Sequence, residues 1–151
     1  MSATIQDPNP SELDWIESNL RMAHGLVAHY LRVEVKPPAD PESLDLSFRA
    51  WLSQWRDGED PNPAINAFGI AFGQYLVENL DMKWAVVTDE HGTEIAVHGQ
   101  PGDILMYPPN LVAKRFEKKE TDFFERIYYD LKKRLARLRG EEKKPWWRFG
   151  R

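Results

Sequence analysis

The segment from Ala64 to Arg115 constrains the fold of this chain more than any other part of it. It begins as AINAFGIAFGQYLVENL, in which apolar residues recur at helical spacing. Three short runs rich in β-branched and aromatic residues follow, KWAVVTD, TEIAVH and DILMY, and the turn sequences EHG and GQPG separate them. The segment therefore predicts an apolar helix followed by a three-stranded antiparallel meander.

Helix-start patterns surround this segment. Four side chains able to accept hydrogen bonds from a free helix N-terminus precede helical patterns, namely Asp40, Asn62, Asn110 and Thr121. Asp40 and Asn62 are each followed by proline, which suits the first helical position. An earlier apolar period predicts another helix over about residues 12–33. The predicted fold class is α+β: N-terminal helices, a three-stranded antiparallel meander, and a long C-terminal helix packed on it.

Length and composition predict a single domain with a short extension at each end. The chain has 151 residues, of which 42% are hydrophobic, and it has no cysteine. We expect a flexible arm over residues 1–10, a single α+β domain over 11–140 and a basic aromatic tail over 141–151. No run approaches the ~18 apolar residues of a membrane-spanning helix. A chain without cysteine suits a reducing compartment, so we expect a cytoplasmic protein.

The formal net charge of −4 hides a strong asymmetry along the chain. Residues 1–113 hold 6 basic and 17 acidic side chains, whereas residues 114–151 hold 14 basic and 7 acidic ones. The molecule is therefore bipolar, which bears on the choice of partners and on association rates more than on the fold.

Two glycines interrupt the apolar helix at a spacing of four residues. Gly69 and Gly73 lie on one side of it, although glycine in a helix interior costs about 1 kcal/mol relative to alanine. We expect this notch to admit another helix or the backbone of the sheet, with a ligand cleft as the alternative.

The residue types that usually carry catalysis do not form a recognisable constellation. His24 and His29 are five apart, so a predicted helix places them on different faces, and no zinc site is expected. No serine stands in a G-x-S-x-G elbow. The sequence GIAFG lacks the third glycine and the Lys-Ser/Thr pair of phosphate-binding loops. We therefore assign no catalytic, cofactor-binding or metal-binding residue.

Two groups of basic and aromatic residues are candidate interaction sites. The first is an anion-binding patch formed by Lys83, Lys114 and Arg115, because we expect the Lys-Arg pair to leave the meander at the Lys83 end. The second is in the tail and comprises Trp146, Trp147, Arg148 and Phe149. Exposed aromatic clusters favour association, so we expect the tail to dock on the chain's own acidic loops or on a second copy in a homodimer.

The segment resembles a known family. The runs GIAFGQYLVENLDMKWAVVTDEHGTEIAV and DILMYPPNLVAKR are similar to a family of small bacterial domains called domain of unknown function 3806, over about residues 62–135. The matching features are a glycine-rich helix, a tryptophan strand, an Asp-x-x-Gly turn, and a proline followed by a Lys-Arg pair. The resemblance implies no known activity, so it transfers no catalytic role.

Three functions remain open at this stage. The first is a non-enzymatic interaction protein, either an adaptor or the neutralising partner of a toxin, with an unidentified protein partner. The second is nucleic-acid binding through the basic C-terminal helix and tail. The third is an enzyme of unknown type. The absence of a catalytic constellation ranks the protein-binding hypothesis first.

Overall fold

A computed structural model describes residues 3–140. In chain order the elements of this part are β1 (Thr4–Gln6), α1 (Pro10–Leu31), α2 (Pro41–Gln54), α3 (Asn62–Asn79), β2 (Lys83–Asp89), β3 (Gly92–Gly99), β4 (Ile104–Met106), α4 (Pro108–Glu117) and α5 (Phe124–Leu138). The fold is α+β, as the sequence predicts. None of the helices within residues 3–140 combines the length and apolarity that crossing a membrane requires.

The sheet has four antiparallel strands in the order β1-β2-β3-β4. The meander of β2, β3 and β4 is the predicted one, with Lys83 opposite His98 and Val97 opposite Met106. The prediction of a flexible arm over residues 1–10 is wrong for Thr4–Gln6, which pairs with β2 so that Ile5 lies opposite Val87. Three residues are too short to show an alternating pattern, and the open backbone groups of the β2 edge attract them.

Helix α3 is the centre of the molecule. It contacts α1, α2, α4, β2 and β3, and almost every residue from Ala64 to Gly73 is buried. Gly69 acts as predicted, because a Cβ atom there would lie 2.7 Å from the backbone Cα of Pro109 in α4. Gly73 differs from the prediction: a Cβ atom there would lie 3.0 Å from Cζ2 of Trp84, so it admits a side chain of β2 and not the sheet backbone. The notch therefore receives the first turn of α4 and the indole of β2.

An aromatic cluster joins α2, α3 and α5. Phe48 is 1% exposed and packs against the rings of Trp51, Phe68, Phe123 and Phe124, with ring centroids 5.3–6.1 Å apart. Edge-to-face and tilted geometries of this kind are favourable for aromatic pairs. The cluster ties α5 mainly to α2, and the last turns of α5 reach the sheet, where Leu135 lies beside Gly99.

The N-terminus of α5 is capped by a residue from another helix. Thr121 does not cap it as predicted, since its hydroxyl bonds Asp122 instead. The buried carboxylate of Asp45 in α2 accepts hydrogen bonds from the backbone N–H groups of Phe123, Phe124 and Glu125 at 2.9, 2.8 and 3.1 Å. This contact satisfies donors that a helix cannot satisfy itself.

The prediction for α4 also needs correction. The helix begins at Pro108, and the prolines occupy its first two positions, so Asn110 is not its cap. Proline lacks the N–H group that a first helical turn leaves unpaired, and it therefore starts this helix without cost.

Candidate functional site

A groove crosses the surface where the first turns of α1 and α4 approach β3. We call it the α1–β3 groove, and its cavity has a volume of about 520 Å³. Its lining residues are Ser11, Glu12 and Trp15 from α1, Thr93, Glu94 and Ile95 from β3, and Tyr107, Pro109 and Asn110 at the start of α4. A second cavity of about 330 Å³ shares Glu94, Tyr107 and Asn110, so it extends the groove towards the β2–β3 turn.

The α1 wall is fixed by a reciprocal cap. The side-chain Oδ1 of Asn9 accepts a hydrogen bond from the Glu12 N–H, and the Glu12 carboxylate accepts one from the Asn9 N–H, both at 2.8 Å. This capping box sets where the helix begins. Trp15 lies one turn further on, on the same side as Glu12, and 39% of it is exposed.

The opposite wall centres on Tyr107, between β4 and α4. Its position is set because the following prolines are held in the notch of α3 at Gly69. Burial raises the pKa of Tyr107 above its usual 10.0, and the carboxylates of Glu94 and Asp89 raise it further. At neutral pH the groove therefore presents a phenol that can donate a hydrogen bond.

The charges in the groove are mixed, with more acids than bases. Glu12, Glu94 and Asp89 line it, along with Lys114 and His91 in the extension. Asp89 also accepts a hydrogen bond from the His91 N–H at 2.8 Å, which holds the β2–β3 turn. Of residues 3–140, the part that contains Trp15 and Tyr107 carries Glu12 and Glu94 and no basic side chain.

The structure separates the predicted Lys83, Lys114 and Arg115 patch. Lys83 is the first residue of β2, whereas Lys114 lies beside Asp89, the last residue of that strand. A strand of seven residues is about 20 Å long, so the two lysines lie at opposite ends of β2. The predicted geometry was wrong because two hairpin reversals make β4 run in the direction of β2. The chain therefore continues into α4 towards Asp89 and away from Lys83.

Arg115 is not part of a free patch either. Its Nε atom lies 3.2 Å from the carboxylate of Glu120, without hydrogen-bond alignment, and its guanidinium is 5.8 Å from the ring centroid of Phe123. The Arg115 side chain therefore packs against the segment that connects α4 to α5. The predicted tail site, with Trp146, Trp147, Arg148 and Phe149, lies outside the described residues.

The residues available for metal binding are scattered. Within residues 3–140, no three or more His, Asp or Glu side chains converge on one point where a metal ion would fit. His98 instead pairs with Asp103, Nε2 to Oδ1 at 2.7 Å, beside the β3–β4 turn. The side-chain amide of Gln100 donates to the same carboxylate at 2.6 Å.

The residues that form the groove are not among the predicted site residues. Trp15 lies beside the apolar stripe of α1 rather than within it, which predicts only that the ring is partly exposed. Nothing in the local sequence of Tyr107 or Glu94 indicates that they share a cavity with α1, because Trp15 joins them only in the folded chain.

The geometry defines a small α+β domain with an amphipathic, partly acidic surface groove. The chain belongs to the family described as domain of unknown function (DUF3806), whose model matches residues 48–128. The match contains the β3 and α4 wall of the groove, and the α1 wall lies outside it.

A solved structure from Bacteroides thetaiotaomicron VPI-5482 shares this fold. Its TM-score is 0.64 at 14% sequence identity, over 83% of this chain and 46% of that one. This chain therefore spans less than half the length of that protein. No curated protein matches the chain at a significant level.

Proposed function

We propose that this protein is a non-enzymatic protein–protein interaction module, of the adaptor or toxin-neutralising type, and that the α1–β3 groove receives a basic segment of its partner. One observation carries the proposal: two aromatic side chains, Trp15 and Tyr107, and two carboxylates, Glu12 and Glu94, line the same open cavity.

This combination suits a lysine or arginine side chain. A cation gains about 0.5–2 kcal/mol over an aromatic face, and a guanidinium or ammonium group hydrogen-bonds well to carboxylates. Tryptophan and tyrosine are also enriched among the residues that dominate protein interfaces. The cavity of about 520 Å³ has room for one long side chain and its flanking backbone.

Two acids of the groove and its extension are oriented by backbone hydrogen bonds. Glu12 accepts a hydrogen bond from the Asn9 N–H, and Asp89 accepts one from the His91 N–H. Each carboxylate keeps free lone pairs for a cationic donor, so a basic side chain can bind without displacing these hydrogen bonds.

Selection from a displayed random-peptide library tests the proposal. We expect the purified protein to enrich extended peptides that contain lysine or arginine. Calorimetry should then show that Glu94→Lys weakens binding of a selected peptide by about tenfold or more, because repulsion replaces an attractive pair. Trp15→Ala should weaken it through the loss of aromatic contact.

Glu17→Lys is the matched control. Glu17 is exposed on α1 but does not line the groove, so this variant changes the net charge by the same amount and should leave affinity within about twofold. Equal affinities for Glu94→Lys and Glu17→Lys would exclude the groove. Failure to enrich any peptide would contradict the protein-binding role.

Nucleic-acid binding is the second candidate. Lys132, Lys133 and Arg134 are exposed on α5, which favours it. Arg139 is less available, because its guanidinium donates to the backbone carbonyls of Gln100, Leu80 and Asp81 at 2.6–3.1 Å. Binding to heterogeneous nucleic acid that weakens steeply with salt would support this candidate over the first.

The proposed compartment is the cytoplasm, which a chain without cysteine suits. A second copy of the chain, joined through residues 141–151, is the alternative protein partner. Sedimentation analysis of the full chain and of a chain ending at residue 140 distinguishes a homodimer from a monomer.

A further inference from the structure

A smaller cavity, separate from the groove and its extension, lies between α1, α3 and the loop that joins α1 to α2. We call it the α1–α3 pocket, and its volume is about 150 Å³. Its deep walls are apolar and buried, and they include Ala23, Val27 and Ala71. His24 from α1 and Gln74 and Glu78 from α3 supply its polar lining.

The polar lining is held by a hydrogen-bond relay. The indole Nε1 of Trp84 donates to Oε1 of Gln74 at 2.8 Å, and Nε2 of Gln74 donates to Oε2 of Glu78 at 2.9 Å. The indole is itself fixed, since it fills the notch at Gly73. Both ends of the Gln74 amide are thus engaged, and the amide holds the Glu78 carboxylate in one orientation.

We propose that the α1–α3 pocket binds a small primary amine with an apolar body, whose ammonium group pairs with Glu78. The size follows from the volume, because a cavity of about 150 Å³ accommodates a benzene ring. The charge follows from the relay, because a carboxylate that already accepts one hydrogen bond keeps free lone pairs for an ammonium donor.

The pocket is independent of the α1–β3 groove. The pocket uses α1 from Leu20 to Val27, whereas the groove uses Ser11, Glu12 and Trp15 in the first turns of the same helix. None of the described residues lines both cavities. A substitution in the pocket therefore tests this site without altering the residues of the proposed interaction surface.

Benzylamine is the probe, with benzyl alcohol and phenylacetate as ligands of similar size and different charge. Titrations of the full chain are followed by heteronuclear NMR, in which the Trp84 indole N–H is a local reporter. We expect benzylamine to shift this resonance and to bind about fivefold more tightly than benzyl alcohol, as a solvent-exposed ion pair of about 1 kcal/mol implies. Phenylacetate should bind most weakly of the three, because Glu78 repels it.

Three variants complete the test. Glu78→Gln should remove the preference for the amine over the alcohol, whereas the control Glu17→Gln, which lies on α1 outside the pocket, should keep it. Trp84→Phe removes the first donor of the relay together with the indole reporter, so its titrations are followed by the backbone amide resonances of α3. This variant should reduce that preference without abolishing binding, as expected of a positioning residue. Ala71→Leu should fill the cavity and abolish binding of both ligands.

Any one of three results would overturn the proposal. The first is a Trp84 indole resonance that benzylamine does not shift, and the second is equal affinity for benzylamine and benzyl alcohol. The third is a Glu78→Gln variant that still binds the amine more tightly than the alcohol. Because Glu78 is on the surface, Glu78→Gln should fold normally and keeps the test decisive even if Ala71→Leu does not fold.

Discussion

Gly69 and Gly73 show how two missing side chains position a large part of this molecule. The first admits the backbone at Pro108 and Pro109, and the second admits the Trp84 indole. Through these contacts the glycines set the start of α4, hence Tyr107 in the groove, and the Trp84 relay of the α1–α3 pocket. Both candidate sites therefore depend on close approach to α3.

Alanine substitutions at three helical glycines should separate packing from helix propensity. We expect Gly69→Ala to lower the free energy of unfolding by about 1–3 kcal/mol, because the backbone of Pro109 cannot move away cheaply. Gly73→Ala should cost less than Gly69→Ala, since an indole side chain can shift more easily than backbone. Urea unfolding measures each value.

Gly25→Ala is the matched control for that series. Gly25 also lies inside a helix, α1, but an added Cβ meets no atom within 4 Å. Alanine should therefore stabilise the protein there, by up to about 1 kcal/mol. If all three variants gave the same sign, packing would not be the reason for the glycines in α3.

At the scale of the element, α5 depends on a residue far away in the sequence. Asp45 is 78 positions before Phe123, and its carboxylate collects three backbone N–H groups at the start of α5. The same contact anchors α5 to α2 beside the aromatic cluster. A local cap would have fixed the start of the helix but not its place in the fold.

We expect Asp45→Ala to lower the free energy of unfolding by about 2–4 kcal/mol, because each buried donor left unsatisfied costs about 1–3 kcal/mol. Asp130→Ala is the control, since Asp130 is an exposed acid on α5 itself, and it should change stability by less than about 0.5 kcal/mol. Thermal and urea unfolding followed by circular dichroism give both values. Equal effects would mean that the cap contributes little.

The stability difference between the wild type and Asp45→Ala should also depend on pH. Burial raises the pKa of Asp45 above its ordinary 3.8, and the backbone hydrogen bonds to it only partly oppose this effect. The folded protein then holds the proton more tightly than the unfolded chain does, so this difference falls as pH rises from 3.8 through the folded pKa. A difference that grows with pH would show that the hydrogen bonds outweigh burial.

The elements differ in how far the sequence could predict them. The start of α2 and the strands of the meander follow from local patterns such as Asp40-Pro41 and the β-branched run of β2. The prediction that Asn62 caps α3 is wrong, because Asn62 is the first residue of that helix and no side chain caps it. Neither β1 nor the cap by Asp45 has a local pattern, because each exists only through a partner distant in sequence. The groove could not be predicted for the same reason, because Trp15 and Tyr107 are distant in sequence and line one cavity only in the folded chain.

At the scale of the whole molecule, one buried cluster connects all five helices and the sheet of the described residues. It runs from Val27 in α1 through Phe48 and Phe72 to Val97 in the sheet and Leu135 in α5. The family match starts at residue 48 and ends at residue 128, so part of this core lies outside it. The α1 residues outside the match supply one wall of each proposed site, and they share a core with α3. We therefore propose a single domain over residues 11–140.

A single domain predicts that every part of the core unfolds together. Phe48→Leu should lower the free energy of unfolding by about 1–2 kcal/mol, because the smaller side chain leaves the cluster underpacked. The urea midpoints from far-ultraviolet circular dichroism and from tryptophan fluorescence should coincide in the wild type and shift equally in the variant. Tyr129→Leu, at a ring that is 50% exposed on α5, is the control and should move neither midpoint appreciably. Two separated transitions, of which Phe48→Leu moves only one, would show that α1 or the sheet folds as an independent unit.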